Sequence, residues 1–216
     1  MKIAIIGASG NIGSRITQEA LSRGHDVTAI VRNPEKVTEE SVSLTVKEGD
    51  VQDVDGMAGL LKGHDAVVVS YSPGWEPGTD FSQHVEVAQK VLQATKLAGV
   101  KRILNVGGAG SLYADPEQGI QLVDTEEFPE AWRGGAAAQR DSLNVYQEER
   151  ELDWTFLSPA IIIEPGERTG KFRYNTDSPV FDERGESRIS RQDFAVAVLN
   201  ELEEPQYIRQ RFTVGY

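Results

Sequence analysis

Lys2-Ile-Ala-Ile-Ile6 followed directly by Gly7-Ala-Ser-Gly-Asn-Ile-Gly13 decides the fold of this chain. The apolar run is short, rich in isoleucine and continuous rather than alternating, which is the pattern of a strand buried on both faces of a parallel sheet. The glycines at 7, 10 and 13 predict a tight turn into a helix: Gly7 permits the turn, Gly10 admits close approach to the backbone, and Gly13 lets the helix pack closely. Ile12, Ile16, Ala20 and Leu21 recur at helical spacing, Gly24 stops the helix, and residues 26–31 read as a second buried strand.

Outward from this strand–helix–strand unit the alternation continues. It predicts a strand over 43–47, a helix over 53–61, a strand over 65–70, a helix from about 80 to 98 and a strand over 101–106, with Gly63 and Gly99 marking helix ends. Such alternation predicts the α/β class, a doubly wound parallel-sheet Rossmann fold in three αβα layers, with strand order beginning 3-2-1-4-5. After Val106 the pattern loosens into Gly107-Gly-Ala-Gly110, a loop, a helix near 135–151 and a strand over 154–158. Residues 161–188 carry mixed hairpin signals and read as a small C-terminal substrate region. A last helix runs from the N-cap Ser190 to about Glu203, and a strand over 210–214 closes the sheet. No repeat, linker or low-complexity stretch interrupts, so residues 1–216 are expected to form a single domain.

The 216 residues are 39% hydrophobic and 26% charged, enough for a sizeable core, and contain no cysteine, which removes disulfides and thiolate chemistry. No apolar run approaches the roughly 18 residues of a membrane span, and the chain enters a strand at once, so a cytoplasmic location is expected. A net charge of -12 repels nucleic acid and anionic membranes. A small-molecule substrate, and at most a second copy of the chain as in a homodimer, remain as expected partners.

In so acidic a chain a phosphate-bearing ligand needs local donors. The N–H groups at a helix start, with about half a unit of positive dipole charge, suit a pyrophosphate, and Ser9 and Asn11 add side-chain donors. About 20 residues beyond such a turn, an acidic residue would accept the ribose 2'-hydroxyl of NAD. Here Arg32 stands 19 residues after Gly13, with Asn33 beside it. A guanidinium matches a 2'-phosphate, so the expected cofactor is NADP (NADPH), with NAD less favoured. One such contact is worth about 1.5–3 kcal/mol, or about ten- to a hundredfold in affinity. Asp50 either accepts the adenine amino group, with Val51 packed on the ring, or caps the next helix.

The segments Gly7-Ala-Ser-Gly-Asn-Ile-Gly13, Val31-Arg-Asn-Pro34, Gly49-Asp-Val51 and Trp154-Thr-Phe-Leu-Ser-Pro159 together resemble the atypical short-chain dehydrogenases/reductases. Within them the chain is similar to the NmrA-like and flavin (biliverdin) reductase-like NAD(P)H-binding proteins. The resemblance implies an extended Rossmann fold with cofactor contacts from the turn (Gly7, Ser9, Gly10, Asn11, Ile12, Gly13) and from the loops after the strands. Those loop positions are Ser70 and Tyr71, Gly107 and Gly108, and Ser158, Pro159 and Ala160 near the nicotinamide.

The wider superfamily reduces carbonyls with a Tyr-x-x-x-Lys pair, in which the lysine makes the tyrosine a better proton donor. This chain has none. Tyr146-Gln-Glu-Glu-Arg150 and Tyr207-Ile-Arg-Gln-Arg211 are the nearest matches, and both are expected at the N-terminal edge of the sheet, away from the cofactor. The catalytic candidates on the other edge are Ser111, whose position resembles the superfamily's carbonyl-polarising serine but which also suits a turn-capping serine, and Tyr113; Tyr71, Arg133 and Arg140 lie nearby. Trp75, Phe128, Trp132, Phe172, Tyr174 and Phe181 are read either as an aromatic roof over nicotinamide or as packing. His25, His64 and His84 fit no metal spacing, so no metal is expected. Two functions follow: an NADPH-dependent oxidoreductase that transfers hydride to a small quinone, flavin or carbonyl compound, or a non-catalytic NADP(H) redox sensor of the NmrA type. A sugar-nucleotide epimerase or dehydratase fits less well, because the C-terminal region is short and the same Tyr-Lys pair is missing.

Overall fold

The computed structural model describes residues 1–74 and 79–216. In chain order the elements are β1 (Lys2–Ile6), α1 (Gly13–Ser22), β2 (Asp26–Val31), β3 (Leu44–Glu48), α2 (Val54–Leu61), β4 (Ala66–Val69), α3 (Gln83–Leu97), β5 (Arg102–Val106), β6 (Tyr113–Asp115) and β7 (Ile120–Gln121). There follow α4 (Glu130–Glu148), β8 (Asp153–Ser158), β9 (Ile162–Glu164), β10 (Arg173–Asn175), β11 (Arg188–Ser190), α5 (Arg191–Glu203) and β12 (Gln210–Gly215). Eight strands form the central sheet in the order β10-β12-β8-β5-β4-β1-β2-β3. All neighbours are parallel except β10, which runs antiparallel to β12. This is an α/β Rossmann-like fold, and its β3-β2-β1-β4-β5 half has the order expected from the alternation.

The continuous apolar strands have a direct structural cause. Successive side chains point to opposite faces, and both faces are covered. Ile3 and Ile5 of β1 join Ile16 and Ala20 of α1 and Phe194 and Val198 of α5 on one side. Ala4 and Ile6 join Met57 of α2, Val91 of α3 and Tyr146 of α4 on the other. Each buried isoleucine contributes about 1.5–3 kcal/mol. Among the described residues, no helix is long and apolar enough to cross a membrane.

Three boundaries differ from expectation. Asp53, not Asp50, caps α2: its Oδ1 accepts the Gly56 N–H at 3.0 Å, so the helix proper begins at Val54. Gly135 lies inside α4 rather than at its start. Pro129 holds the cap position, and the small Ala136 beside Gly135 lets the helix approach the loop after β5 so closely that a Cβ on Gly110 would lie 2.9 Å from the Ala136 Cβ. Residues 161–188 form no hairpin of their own, since β9 pairs with β11 and β10 with β12. Charged bonds fasten this region to the helices. Arg168 makes paired bonds of 2.7 and 2.8 Å to Glu19 of α1, and the buried Asp193 of α5 accepts the Thr169 and Gly170 N–H groups, each at 2.8 Å.

Candidate functional site

The strand order reverses between β1 and β4, and the crevice beyond the C-terminal ends of these strands is where open α/β sheets take ligands. The turn after β1 is built around glycine. Gly7 has φ +80°, donates its N–H to Ile30 O at 2.9 Å, and lies so near the β4 end that a Cβ would sit 2.4 Å from Ser70 O. A Cβ on Gly13 would sit 2.1 Å from Gly7 O, so α1 can start where it does only with glycine there. Gly10 N–H closes the turn on Gly7 O at 3.0 Å. Ser9, Gly10 and Asn11 are exposed, and the backbone N–H groups of Asn11, Ile12 and Gly13 have no acceptor among the described residues.

Arg32, at the end of β2, is exposed and has no ion pair among the described residues. It lies close enough to Tyr71 to matter electrostatically: burial raises the Tyr71 hydroxyl pKa, the Arg32 charge pulls it back, and Asp50 and Asp80 add to the rise. The fold thus gathers Arg32, Asp50 and Tyr71, from three separate loops, beside the glycine turn. Asp50 Oδ1 accepts Gln52 N–H at 2.9 Å, and Val51 is buried against the α2 side of the core.

On the β5–β8 side the expected residues are more enclosed. Ser111 is 0% exposed; its Oγ donates to Gly108 O at 2.9 Å and shares a 2.9 Å bond with Ser158 Oγ. Of the two readings of Ser111, its bonds are those of the loop-capping serine. Ser158 and Ala160 are buried beneath this loop together with Pro159. Gly107 donates to Leu157 O at 2.8 Å and leaves no room for a Cβ against the Phe156 ring. Tyr113 is half-buried beneath the Arg211 guanidinium, 5.0 Å from the ring centre, and Arg211 also binds Ser111 O.

Several sequence candidates serve the scaffold. Arg133 gathers the carbonyls of Val123, Thr125 and Phe128, while Arg140 pairs with Asp124 and Asp141. Phe172 and Tyr174 pack towards Tyr207 and Phe212, and Tyr174 accepts a bond from Asn200 of α5, so this pair does not roof the β4–β5 edge. Trp132 and Phe181 are largely exposed. Trp75 lies outside the described residues. Tyr146 is buried against Trp154 and Phe156, as packing predicts, and burial raises its pKa. Its hydroxyl nevertheless reaches further towards the C-terminal edge than expected, donating to Asn105 Oδ1 at 3.1 Å.

That asparagine lines a cavity of about 20 Å³ between α3 and α4, with Val69, Tyr71, His84, Val106, Gln139 and Ser142 among its other walls. Sequence reasoning passed over Asn105, His84, Gln139 and Ser142. The available signal was the position of His84 just inside a helix that follows a strand end on the ligand edge. On the α4 side of this cavity stand the Gln139 amide and the Ser142 hydroxyl.

The chain matches the NAD(P)H-binding family over residues 7–205 and belongs to it. It is 44% identical to the uncharacterized protein YwnB of Bacillus subtilis over 215 residues, covering 99% of this chain and 98% of that one. Among solved structures, a candidate exported protein of Burkholderia pseudomallei is 44% identical with a TM-score of 0.90, covering 100% of both chains. A candidate NADH-flavin reductase of Streptococcus pneumoniae is 36% identical with a TM-score of 0.87, covering 100% of this chain and 99% of that one.

Proposed function

We propose that this chain is an NADPH-dependent oxidoreductase that transfers hydride to a small planar electrophile, a flavin or quinone before a simple carbonyl compound. The observation that carries the reading is Arg32, without an ion pair among the described residues, beside a glycine turn whose Asn11, Ile12 and Gly13 N–H groups have no acceptor among those residues. The residues fit the cofactor: the spaces at Gly7 and Gly13 are too tight for a Cβ, and the free donors suit a pyrophosphate. In this reading Ser9 and Asn11 supplement the backbone donors, and Arg32 takes the 2'-phosphate. Asp50 and Val51 meet the adenine, while Ser70, Tyr71, Gly107, Gly108 and the segment Ser158-Pro159-Ala160 border the nicotinamide half. Ser111 and Tyr113 stay near the reacting end, Ser111 by fixing the Gly108 loop. When bound, NADPH supplies a hydride. The flavin preference draws support from the name of the Streptococcus relative. It also draws support from the missing Tyr-Lys pair, because flavins and quinones tolerate a less committed proton donor.

The missing pair also favours a second reading, a non-catalytic NADP(H) sensor. Fluorescence titration of the protein and its Arg32→Ala variant with NADPH and NADH, followed by absorbance assays with quinones, flavins and aldehydes, tests both. The variant is expected to lose NADPH affinity by about ten- to a hundredfold while NADH affinity holds. Unchanged NADPH binding refutes the Arg32 assignment. Tight binding without turnover moves the function to the sensor, which then requires different affinities for the two redox forms.

A further inference from the structure

A dinucleotide anchored at the glycine turn and at Arg32 must extend its other half over the C-terminal ends of β4 and β5, given the strand order. The cavity between α3 and α4 opens at those ends. His84, in the first turn of α3, is 7% exposed and lines it. Its ring stacks on Phe81 at 6.3 Å and meets Tyr71 edge-on at 5.7 Å, yet among the described residues its imidazole nitrogens make no hydrogen bond. The ring nitrogens are not among the fully enclosed atoms that lack a partner, so the polar edge of the imidazole stays open to one. The other two histidines are bonded within the protein, His25 with Glu203 and His64 with Leu61 O and Thr28. The cavity has room for one water, and Asn105, Gln139 and Ser142 give it polar partners besides the imidazole.

Building on the oxidoreductase reading, we propose that His84 delivers the proton that completes reduction of the acceptor, through a single water held in the cavity between α3 and α4. The acceptor takes a hydride from C4 of the dihydronicotinamide, which is oxidised by two electrons as that C–H bond breaks and a new bond to hydrogen forms on the acceptor. The displaced electron pair collects on an acceptor oxygen or ring nitrogen. That atom takes a proton from the water, the water takes one from the His84 imidazolium, and solvent reprotonates the imidazole. Burial holds His84 below the ordinary histidine pKa, so its proton-loaded fraction grows as pH falls. Among the described residues the titratable group facing it is Tyr71. β5 and α4 offer the uncharged Asn105, Gln139 and Ser142, α3 adds Val87 and Ala88, and Arg32 and Asp50 act on Tyr71 from the adenine side.

With three histidines in the chain, proton NMR can follow each imidazole, the His84→Gln variant assigning the signal. His84 is expected to titrate at lower pH with NADP+ bound than with NADPH bound, because the oxidised ring carries a positive charge. Identical His84 curves in the two complexes overturn the proposal and leave the cofactor reading intact; failure of either nucleotide to bind removes both. With menadione as acceptor, His84→Gln and His84→Phe are expected to lower kcat by about a hundredfold and flatten its rise at low pH, with NADPH affinity kept within about threefold. His84→Phe preserves the ring stack, and thermal melting checks that it folds. Wild-type kcat with a wild-type pH profile in either folded variant refutes the role, and without menadione turnover the NMR comparison alone decides it.

Discussion

Replacing Gly13 with alanine sets two effects against each other. Helix propensity favours alanine by about 0.8–1.0 kcal/mol. The new Cβ, however, falls 2.1 Å from Gly7 O, 2.9 Å from Gly7 C and 3.1 Å from Ala8 Cα. All three atoms are backbone, so no side chain can swing aside. An ordinary C···O contact needs about 3.3 Å, which moves the start of α1 about 1 Å away from the turn. Overpacking of this kind costs about 1–3 kcal/mol, so the net loss is about 2 kcal/mol at most, a fall in Tm of no more than roughly 8 °C. The larger effect falls on binding. In the proposed cofactor reading, a retreat of about 1 Å misaligns N–H groups whose bonds to a charged phosphate are worth about 1.5–3 kcal/mol each, so losing one weakens NADPH by about ten- to a hundredfold. Gly59→Ala in α2, where an added Cβ meets nothing within 4 Å, is the control and gains stability from propensity alone. Thermal melts and NADPH titrations of both variants decide the matter. A Gly13→Ala protein with raised Tm and unchanged affinity, like the control, refutes the steric argument.

Two further predictions concern the scaffold. Arg102 of β5 and Glu201 of α5 form a buried pair at 2.9 Å, and removing one partner strands the other charge; Glu201→Ala is expected to cost about 3–5 kcal/mol by denaturant melts, with the double variant Arg102→Met/Glu201→Leu recovering most of it. A loss below about 1 kcal/mol in the single variant contradicts this. Glu19 has its pKa lowered chiefly by Arg168, with Arg23 adding to the effect against the opposing cost of burial. Its stabilising contribution is therefore complete above the ordinary glutamate range and lost as pH falls through its lower folded value. Glu19→Gln should make stability less steep in that acidic window, and an equally steep profile in melts across it would remove Glu19 as a source of acid sensitivity.

The parallel half of the sheet was legible because each strand buried on both faces writes a solid apolar run, and because Gly7, Gly24, Gly63 and Gly99 punctuate the alternation at positions of positive φ. The start of α4 was not, since Gly134-Gly135 looks like a helix boundary in sequence, while in the structure both lie inside the helix and the neighbouring Ala136 packs closely against Gly110 of the loop after β5. Residues 161–188 were harder still. Their partners are Glu19, Asp193 and strands β11 and β12, far away in sequence, and no local period records such contacts. At the site, Arg32 stood out through spacing alone. His84 did not, because its interest comes from its place in the lining of the cavity between α3 and α4, which only the packed structure reveals.

The turn after β1 is already closed by the Gly10–Gly7 bond and clamped between Ser70 and Gly13. No chain segment there has to be ordered when a dinucleotide arrives, so this end of the ligand should be captured in a single encounter-controlled event. Observed association rates would then climb linearly with nucleotide concentration and show no plateau, the signature of a socket rather than a closing hand.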